Sequence, residues 1–546
     1  MRTPTEVFQM WKKNIKSEWK LAFMAAVVIG LMVHLPMMLS DIPNHDGLDS
    51  MYFDQNMITS GRWFLMVACG FSSYYTLPWL IGVIALLWLG VTAALLVEFL
   101  EVKDRVTIVL ISGLLVTFPA LASTFAYVFT MDGYMLALML AVAAVVCVKK
   151  LKYGFLPGAV CLAFSLGTYQ SYLAFTVILC IYGILMLALE NGTVKDKFKK
   201  ALQYLYMGIL GVVLYYGILQ VLLKLQGKVL DTYQGINSME SGILSGGVSS
   251  LLSTILNMYR DFFAFTINGN VLVNNTWSMA AFTLLALLTM FVLLWMTLQK
   301  GWWKKLWFWC LLLLAAVGLP VATNIILLIT PNVTYHLLMR YQWVLYLILP
   351  ISFISRYGRK EDVTASWGVL LAGVVLAGNF AVTDNIAYSN LEKRYEKTYA
   401  YCVRLLDRIE QTPGYYQGIP IAMIGVVGDE SYPLTDITGK VTSNMIGMNG
   451  DVLLYTGDNY QSFIKHYLGA DLNILPAEVM EEIYYSEEYR AMDSFPGENS
   501  TQVVDGILYV KTENVDKTSL EDIAAEKAVE KAAEKAAETD AVGNTN

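Results

Sequence analysis

Residues 20–39 read KLAFMAAVVIGLMVHLPMML, and the polar stretch SDIPNHDGLD follows directly at residues 40–49. A helix needs about 20 apolar residues to cross a bilayer. The run is too long and too poorly flanked for a cleaved signal peptide, so we expect it to stay as a membrane anchor. The whole chain of 546 residues is 56% hydrophobic and 15% charged, with a mean hydropathy of +0.50. This composition excludes an ordinary soluble domain and predicts a polytopic α-helical membrane protein.

Similar apolar segments recur along the chain and predict about 11 transmembrane helices. The fifth and the tenth segments are short, which indicates little tilt or an irregular packed pair. The predicted segments are residues 20–39, 76–100, 106–129, 133–148, 154–167, 171–189, 201–224, 278–298, 305–330, 341–355 and 364–384.

Basic residues predict the orientation, because Lys and Arg in short loops are retained on the cytoplasmic side. The opposite loops carry few of them, chiefly Arg62, Lys228, Arg260 and Arg340. We therefore expect a cytoplasmic N-terminus, with the stretch after residue 39 and everything after residue 384 on the extracytoplasmic side. The basic loops lie at residues 12–20, 103–105, 149–152, 195–200, 300–305 and 356–360.

The region after the last predicted span has a different character. Residues 388–409 place apolar and aromatic side chains at helical spacing, which predicts an amphipathic helix. Apolar residues 419–427 and 506–511 indicate two strands, so a small extracytoplasmic α/β domain is expected here. The predicted divisions are 1–19 (cytoplasmic segment), 20–384 (transmembrane domain), 385–515 (α/β domain) and 516–546 (a low-complexity tail of Ala, Glu and Lys).

Cysteine usage and charge exclude several other classes of protein. The 6 cysteines lie mostly within predicted spans, so neither a disulfide framework nor a zinc site is indicated. The net charge is −7, and the basic residues concentrate near the membrane, which argues against a nucleic-acid partner.

The first outer loop carries a cluster of ionisable residues. Asp41, His45, Asp46, Asp49 and Asp54 lie beside the first span, where ionisable groups are functional candidates by default. The competing interpretation is local. If a helix begins here, Asp46 could be its N-cap, with Asp49 at the third helical position.

Two further outer turns carry polar residues. Asp132, in Met131-Asp132-Gly133, brings a second acid to the outer face, although Asp-Gly is also common turn chemistry. Tyr169 and Gln170, between the fifth and sixth spans, could bond sugar hydroxyls or satisfy the helix ends that they link.

A basic pair precedes the tenth span. His336 and Arg340 are four residues apart, so on a helix they would project from one face. The planar guanidinium of Arg340 suits phosphate oxygens, whereas the structural alternative is an interfacial Arg that snorkels to water. At Tyr259-Arg260-Asp261 a local ion pair is the favoured interpretation, and for His34 in the first span it is a hydrogen bond to a neighbouring helix.

Outer carboxylates and a His/Arg pair on one side of a helical bundle fit a particular reaction. Displacement of a lipid phosphate by a sugar hydroxyl needs a base, cations on the departing phosphate and an apolar groove for the lipid.

The chain resembles the Gtr-type glucosyltransferases that depend on polyprenyl-phosphate sugars, membrane enzymes of the GT-C superfamily. The resemblance extends over most of residues 10–512. It rests on the order of motifs that each are weak alone. These are Asn44-His45-Asp46, Gly61-Arg62-Trp63, Met131-Asp132-Gly133, Gly167-Thr168-Tyr169-Gln170, Ala491-Met492-Asp493-Ser494-Phe495-Pro496 and Ile507-Leu508-Tyr509-Val510-Lys511.

The resemblance implies a GT-C fold and transfer of glucose or a related hexose from undecaprenyl phosphate to a cell-envelope glycan. That reaction would take place on the outer face of a bacterial plasma membrane, within membrane lipid and without nucleic acid. The catalytic acid would be Asp46, with Asp41 or Asp49 as substitutes, and Asp132 would be the second acid. Arg340, helped by His336, would bind the donor phosphate.

Sugar or acceptor binding would involve Tyr169 and Gln170, with His45 and Asp49. The resemblance leaves open whether Mg²⁺ or Mn²⁺ bridges Asp46 and Asp132. Two other classes stay open. A transporter or lipid-linked sugar flippase would place charges in mid-span and repeat its two halves, and an assembly protein would bind a partner without turnover.

Overall fold

The structure is a computed structural model that comprises two compact units. One unit contains residues 1–391 and 435–449, and the other contains residues 392–434 and 450–546. The structure describes residues 3–49, 54–70, 76–190, 192–231, 247–268, 272, 274–330, 333–358, 363–424, 445, 448 and 457–512.

The first unit is built of α-helices. Its helix ends follow from the sequence, since Asp104 and Thr193 accept hydrogen bonds from backbone amides as N-caps and Gly227 closes a helix at φ +62°. The α-helices are α1 Pro4–Asn14, α2 Ser17–Leu39, α3 His45–Asp49, α4 Leu65–Ala68, α5 Pro78–Leu100, α6 Arg105–Thr117, α7 Pro119–Phe125, α8 Met131–Lys150, α9 Phe155–Thr168, α10 Leu173–Leu189, α11 Val194–Gln226, α12 Gly247–Asn268, α13 Thr276–Gln299, α14 Leu306–Thr323, α15 Ile326–Ile329, α16 Leu345–Tyr357 and α17 Val363–Glu410. Residues 392–410 of α17 belong to the second unit.

Short 3₁₀ helices connect several of these elements. One of them, Leu337–Val344, runs directly into α16 and therefore gives the short tenth predicted span an irregular start. The others are Ile58–Ser60, Val128–Thr130, Gln170–Tyr172 and Trp302–Lys304.

The helices agree with a multi-pass membrane protein. Within the described ranges, nine helices are long and apolar enough to cross a membrane, or up to ten if the bent pair α6 and α7 is one span. The fifth predicted segment coincides with α9, which is apolar but shorter. Every predicted segment therefore overlaps helix, while the count of 11 spans stays a prediction.

The bend of 45° between α6 and α7 has a local cause. Pro119 has no amide hydrogen, so the carbonyl of Leu115 lacks its helical donor. The hydroxyl of Tyr341 donates to that carbonyl instead. His34 bridges the Val116 carbonyl, 2.7 Å from Nε2, and the Tyr388 hydroxyl, 2.6 Å from Nδ1. The prediction that His34 bonds a neighbouring helix is thus confirmed.

Ion pairs join helix ends at one end of the bundle. Arg356 pairs with Glu190 at 2.8 Å and with Glu101 at 3.0 Å. Lys16 pairs with Glu98 at 2.7 Å. Part of the basic charge counted in the sequence is therefore neutralised by neighbouring acids.

The second unit contains a four-stranded sheet. Its strand order is β2-β1-β4-β3, where β1 is parallel to both neighbours and β3 is antiparallel to β4. The two predicted strands correspond to β1 and β4, which pair with each other. Residues 425–427 of the first predicted strand lie outside the described part of the structure. The elements are β1 Pro420–Ile424, α18 Gly457–Phe463, β2 Asn473–Ile474, α19 Ala477–Tyr484, α20 Glu487–Ala491, β3 Thr501–Val504 and β4 Ile507–Lys511.

Candidate functional site

Asn44, and not Asp46, caps the short helix α3 in the loop that follows α2. The Asn44 side-chain oxygen accepts a hydrogen bond from the Gly47 amide at 2.7 Å, and its carbonyl accepts from the Leu48 amide at 3.1 Å. The interpretation of Asp46 as the N-cap is therefore wrong. Asp46 is half-buried in the first turn of α3. The side chains of His45 and Asp49 lie outside the described part of the structure.

The other acids of this loop have separate environments. Asp41 lies at a small pocket that Asn44 and Phe129 also line, and partial desolvation raises the pKa of Asp41. Asp54 accepts the Asn56 amide at 3.0 Å, which is a local turn contact.

Asp132 is buried in the first turn of α8, with 1% of its surface exposed. It accepts a hydrogen bond from the Gly133 amide at 2.9 Å and lies against the Cys69 thiol. Burial and the charge of Asp132 both raise the pKa of this thiol. A Cβ on Gly133 would lie 2.5 Å from the Cys69 sulfur. The Asp-Gly pair therefore lies in the first turn of α8 and not in a turn between helices, and Gly133 is required there by close packing against Cys69.

The loop that contains α3 packs beside the segment that carries Asp132. A Cβ on Gly47 would lie 3.8 Å from the Phe129 ring, and Phe129 belongs to the 3₁₀ helix that runs into α8. Asp46 and Asp132 are thus carried by neighbouring elements.

Tyr169 forms the centre of an aromatic and cationic cluster. Its ring stacks on Tyr134 with a centroid distance of 4.3 Å, and the Arg62 guanidinium lies 5.4 Å from its centroid. Arg62 Nη1 also donates to the Tyr134 hydroxyl at 3.2 Å. Burial raises the pKa of Tyr169, so its phenol stays protonated at neutral pH and can donate a hydrogen bond.

Gln170 holds the turn that carries Arg62. Its Nε2 donates to the Ser60 carbonyl at 3.0 Å and to the Tyr215 hydroxyl at 3.2 Å. The Tyr215 hydroxyl in turn donates to the Gly61 carbonyl at 3.1 Å. We call Ser60, Gly61, Gln170 and Tyr215 the latch. These hydrogen bonds hold the two residues directly before Arg62, and sugar binding by Gln170 stays a prediction.

Arg340 forms a bidentate ion pair with Asp261 of α12. Both nitrogen–oxygen distances are 2.7 Å, and Arg340 Nε donates to the Tyr335 carbonyl at 3.2 Å. The expected local pair within Tyr259-Arg260-Asp261 is therefore corrected, because Asp261 pairs with a residue 79 positions away.

The helical relation between His336 and Arg340 is also corrected. His336 is the extended residue before the 3₁₀ helix, and Arg340 has non-helical dihedrals of −107° and 22°. A 3₁₀ helix has three residues per turn, so positions four apart do not align.

Three aromatic rings enclose the Arg340 guanidinium. The ring centroids of Tyr335, Phe265 and Trp343 lie 3.8, 4.6 and 5.3 Å from it. The 3₁₀ helices Gln170–Tyr172 and Leu337–Val344 pack against each other, so the Arg62 and Arg340 clusters lie on neighbouring elements. Sequence reasoning missed the pairing of Asp261 with Arg340 and gave Tyr335 no role. It noted Arg62 only as a basic residue of the outer loops and within the triplet Gly61-Arg62-Trp63.

An apolar groove of about 370 Å³ lies between α10, α13, α14 and α16. It follows α14 from Phe308 to Leu319, which corresponds to about 17 Å of helix. Tyr346 lines the groove and bonds the Thr323 hydroxyl at 2.6 Å, and the Thr323 carbonyl accepts from the Tyr335 hydroxyl at 3.4 Å. The groove is therefore connected to the Arg340 cluster through two hydrogen bonds.

No set of three or more His, Cys, Asp or Glu side chains that could hold a metal ion is found among the described residues. The site with Asp46 and Asp132 as metal ligands stays a prediction.

Comparison with protein-family models identifies the family of the chain. The family model described as Glucosyl transferase GtrII matches residues 35–357, which is more than half of the chain and includes both acids and both arginine clusters. No curated protein and no solved structure matches. The chain therefore belongs to the GtrII glucosyl transferase family.

Proposed function

We propose that this glucosyl transferase takes glucose or a related hexose from undecaprenyl phosphate and transfers it to a cell-envelope polysaccharide. The reaction takes place on the extracytoplasmic side of the bacterial plasma membrane and inverts the configuration at the anomeric carbon. The observation that supports a lipid donor is the apolar groove that leads along α14 to the Arg340 cluster. A lipid tail in the groove would bring its phosphate toward this cation.

Asp46 is proposed as the general base, which accepts the proton of the acceptor hydroxyl while its oxygen attacks the anomeric carbon. The bond from that carbon to the phosphate oxygen breaks, and the phosphate leaves with the electron pair. Because Asn44 is the cap, Asp46 is not needed to begin the helix, which supports a chemical role. Asp132 is proposed as the second acid, which positions the acceptor.

The two arginines are proposed to stabilise the departing phosphate. Arg340 provides a planar fork and His336 lies at the start of the same 3₁₀ segment. Arg62 adds a second cation beside Tyr169, and the Tyr169 phenol is a donor for the sugar hydroxyls. His45 and Asp49 are kept as expected acceptor contacts.

Substitution of Asp46 tests the base. A carboxylate base contributes about 10²–10⁴-fold to rate, so Asp46→Asn should lower the turnover of undecaprenyl-phosphate glucose by this factor. Asp54→Asn is the matched control, because the amide oxygen can still accept the Asn56 amide. Purified protein in nanodiscs is supplied with wall polysaccharide, and release of undecaprenyl phosphate is measured. Equal rates for the wild type and Asp46→Asn would contradict the assignment.

A further inference from the structure

Arg340 is fixed by contacts that do not depend on Asp261. Its Nε donates to the Tyr335 carbonyl at 3.2 Å, and three aromatic rings surround the guanidinium within 5.3 Å. The side chain is only 9% exposed. The cation would therefore keep its position if its carboxylate partner left.

Asp261 is the more exposed member of the ion pair. Its side chain is 25% exposed, compared with 9% for Arg340. Its other described hydrogen bond comes from Asn324 Nδ2 at 3.0 Å. The carboxylate is therefore the more accessible member of the pair.

A carboxylate and a phosphate compete for the same fork. Two coplanar oxygens accept the two parallel N–H donors of a guanidinium in either case. In the structure both Asp261 oxygens use these donors at 2.7 Å. A phosphate that entered without displacement of Asp261 would place two anions beside one buried cation, which is unfavourable in a poorly hydrated site.

We propose that Asp261 occupies the phosphate position of Arg340 in the unliganded protein and leaves it when the phosphate of a lipid donor binds. This inference rests on the proposed function, because the ligand is the phosphate group of that donor. Asp261 is then a positioning residue that acts through Arg340. It keeps the buried cation neutralised between turnovers and makes occupation of the site depend on an anionic headgroup.

The need to displace Asp261 lowers the apparent affinity of the site for phosphate. When the competent state is only a fraction of the population, apparent affinity is reduced by that fraction. Removal of the Asp261 charge should therefore tighten phosphate binding. Hydrogen bonds to charged groups have strengths that correspond to about tenfold to hundredfold in affinity. A purely structural ion pair predicts the opposite, since loss of Asp261 would disorder the site and weaken binding.

The test measures the dissociation constant of undecaprenyl phosphate for the full-length protein in nanodiscs. We expect Asp261→Asn to bind about tenfold to hundredfold more tightly than the wild type. Arg340→Gln should bind more weakly, and the double variant should resemble Arg340→Gln. Asp471→Asn, which removes the carboxylate partner of Lys465 in the second unit, is the matched control and should bind like the wild type.

Two further ligands identify what is recognised. Undecaprenol, which lacks the phosphate, should bind Asp261→Asn and the wild type equally. Inorganic phosphate should show the same direction of change as undecaprenyl phosphate if the headgroup alone is sufficient, and a gain confined to the lipid phosphate means that the groove is needed as well. Equal gains for undecaprenol and undecaprenyl phosphate would overturn the proposal.

A second variant covers failure of Asp261→Asn to fold. Asn324→Ala removes the other described hydrogen bond of Asp261 and should tighten binding by about threefold or more. Unchanged or weaker binding in a folded Asp261 or Asn324 variant would overturn the proposal. Consumption of undecaprenyl-phosphate glucose by the wild type tests the proposed function separately. The binding measurements do not require turnover, so they can support or overturn the displacement of Asp261 even if the wild type does not consume undecaprenyl-phosphate glucose.

Discussion

Substitution of Gly61 tests whether the latch positions Arg62. Gly61 has φ +74°, and an added Cβ would lie 2.7 Å from both Gln170 Nε2 and the Tyr215 hydroxyl. We expect Gly61→Ala to lower both stability and transfer rate, because Arg62 follows directly in the chain. The Arg62 guanidinium would then be displaced from the Tyr169 ring.

The magnitude follows from two contributions. A left-handed conformation costs a residue with a Cβ about 1–2 kcal/mol. The clash also strains the three latch hydrogen bonds, at 3.0, 3.1 and 3.2 Å, and each such bond contributes about 0.5–1.5 kcal/mol. Loss of one or two of them brings the expected destabilisation to roughly 2–4 kcal/mol.

Gly227→Ala is the matched control for the backbone contribution. Gly227 has φ +62°, and nothing lies within 4 Å of an added Cβ. It should therefore show only the conformational cost and keep the wild-type transfer rate. The assay compares denaturation midpoints in detergent and the release of undecaprenyl phosphate. If Gly61→Ala matches Gly227→Ala in both readouts, the latch does not position Arg62.

Three further outcomes are expected. Asp132→Asn keeps an oxygen for the Gly133 amide, so it should retain the wild-type melting temperature while transfer falls at least tenfold; wild-type transfer would exclude a role in the reaction. Ala316→Trp should fill the groove and raise KM for undecaprenyl-phosphate glucose but not for a donor with two isoprene units, and equal effects on both would argue against a tail site. The raised pKa of Asp41 favours the folded state at low pH, and this contribution is lost as pH rises through the folded pKa. Asp41→Asn should therefore remove that part of the pH dependence of the melting temperature. An unchanged dependence of the melting temperature on pH would contradict this expectation.

The sequence predicted those features that depend on local pattern. Apolar runs located the spanning helices, and apolar residues around Ile421 and Leu508 located the two strands that pair as β1 and β4. Tyr169 and Asp132 were identified as polar residues beside helix ends, and both are buried in the structure.

Features that depend on long-range contacts were missed. Arg340 and Asp261 are 79 residues apart, so no local spacing could pair them. The neighbouring Arg260 offered a simpler partner for Asp261. The 3₁₀ conformation at Arg340 also prevents the assumed helical alignment with His336. No residue in that stretch indicates a 3₁₀ helix rather than an α-helix.

Close packing explains a further difference. Gly133 was interpreted as a turn glycine, but it is required by the Cys69 sulfur, which approaches from a segment 64 residues earlier in the chain. Asp46 was considered as the N-cap, although Asn44 has an equally strong cap preference. Local rules allowed both residues, and only the backbone at Gly47 distinguishes them.

The identity of the donor is the most direct test of the proposed function. Purified protein in nanodiscs is incubated with wall polysaccharide and either undecaprenyl-phosphate glucose or a nucleotide-linked glucose, and loss of each donor is measured by mass spectrometry. We expect consumption of the lipid-linked donor with stoichiometric release of undecaprenyl phosphate, and no consumption of the nucleotide sugar. Consumption of the nucleotide sugar alone, or of neither donor by folded protein, would contradict the proposal.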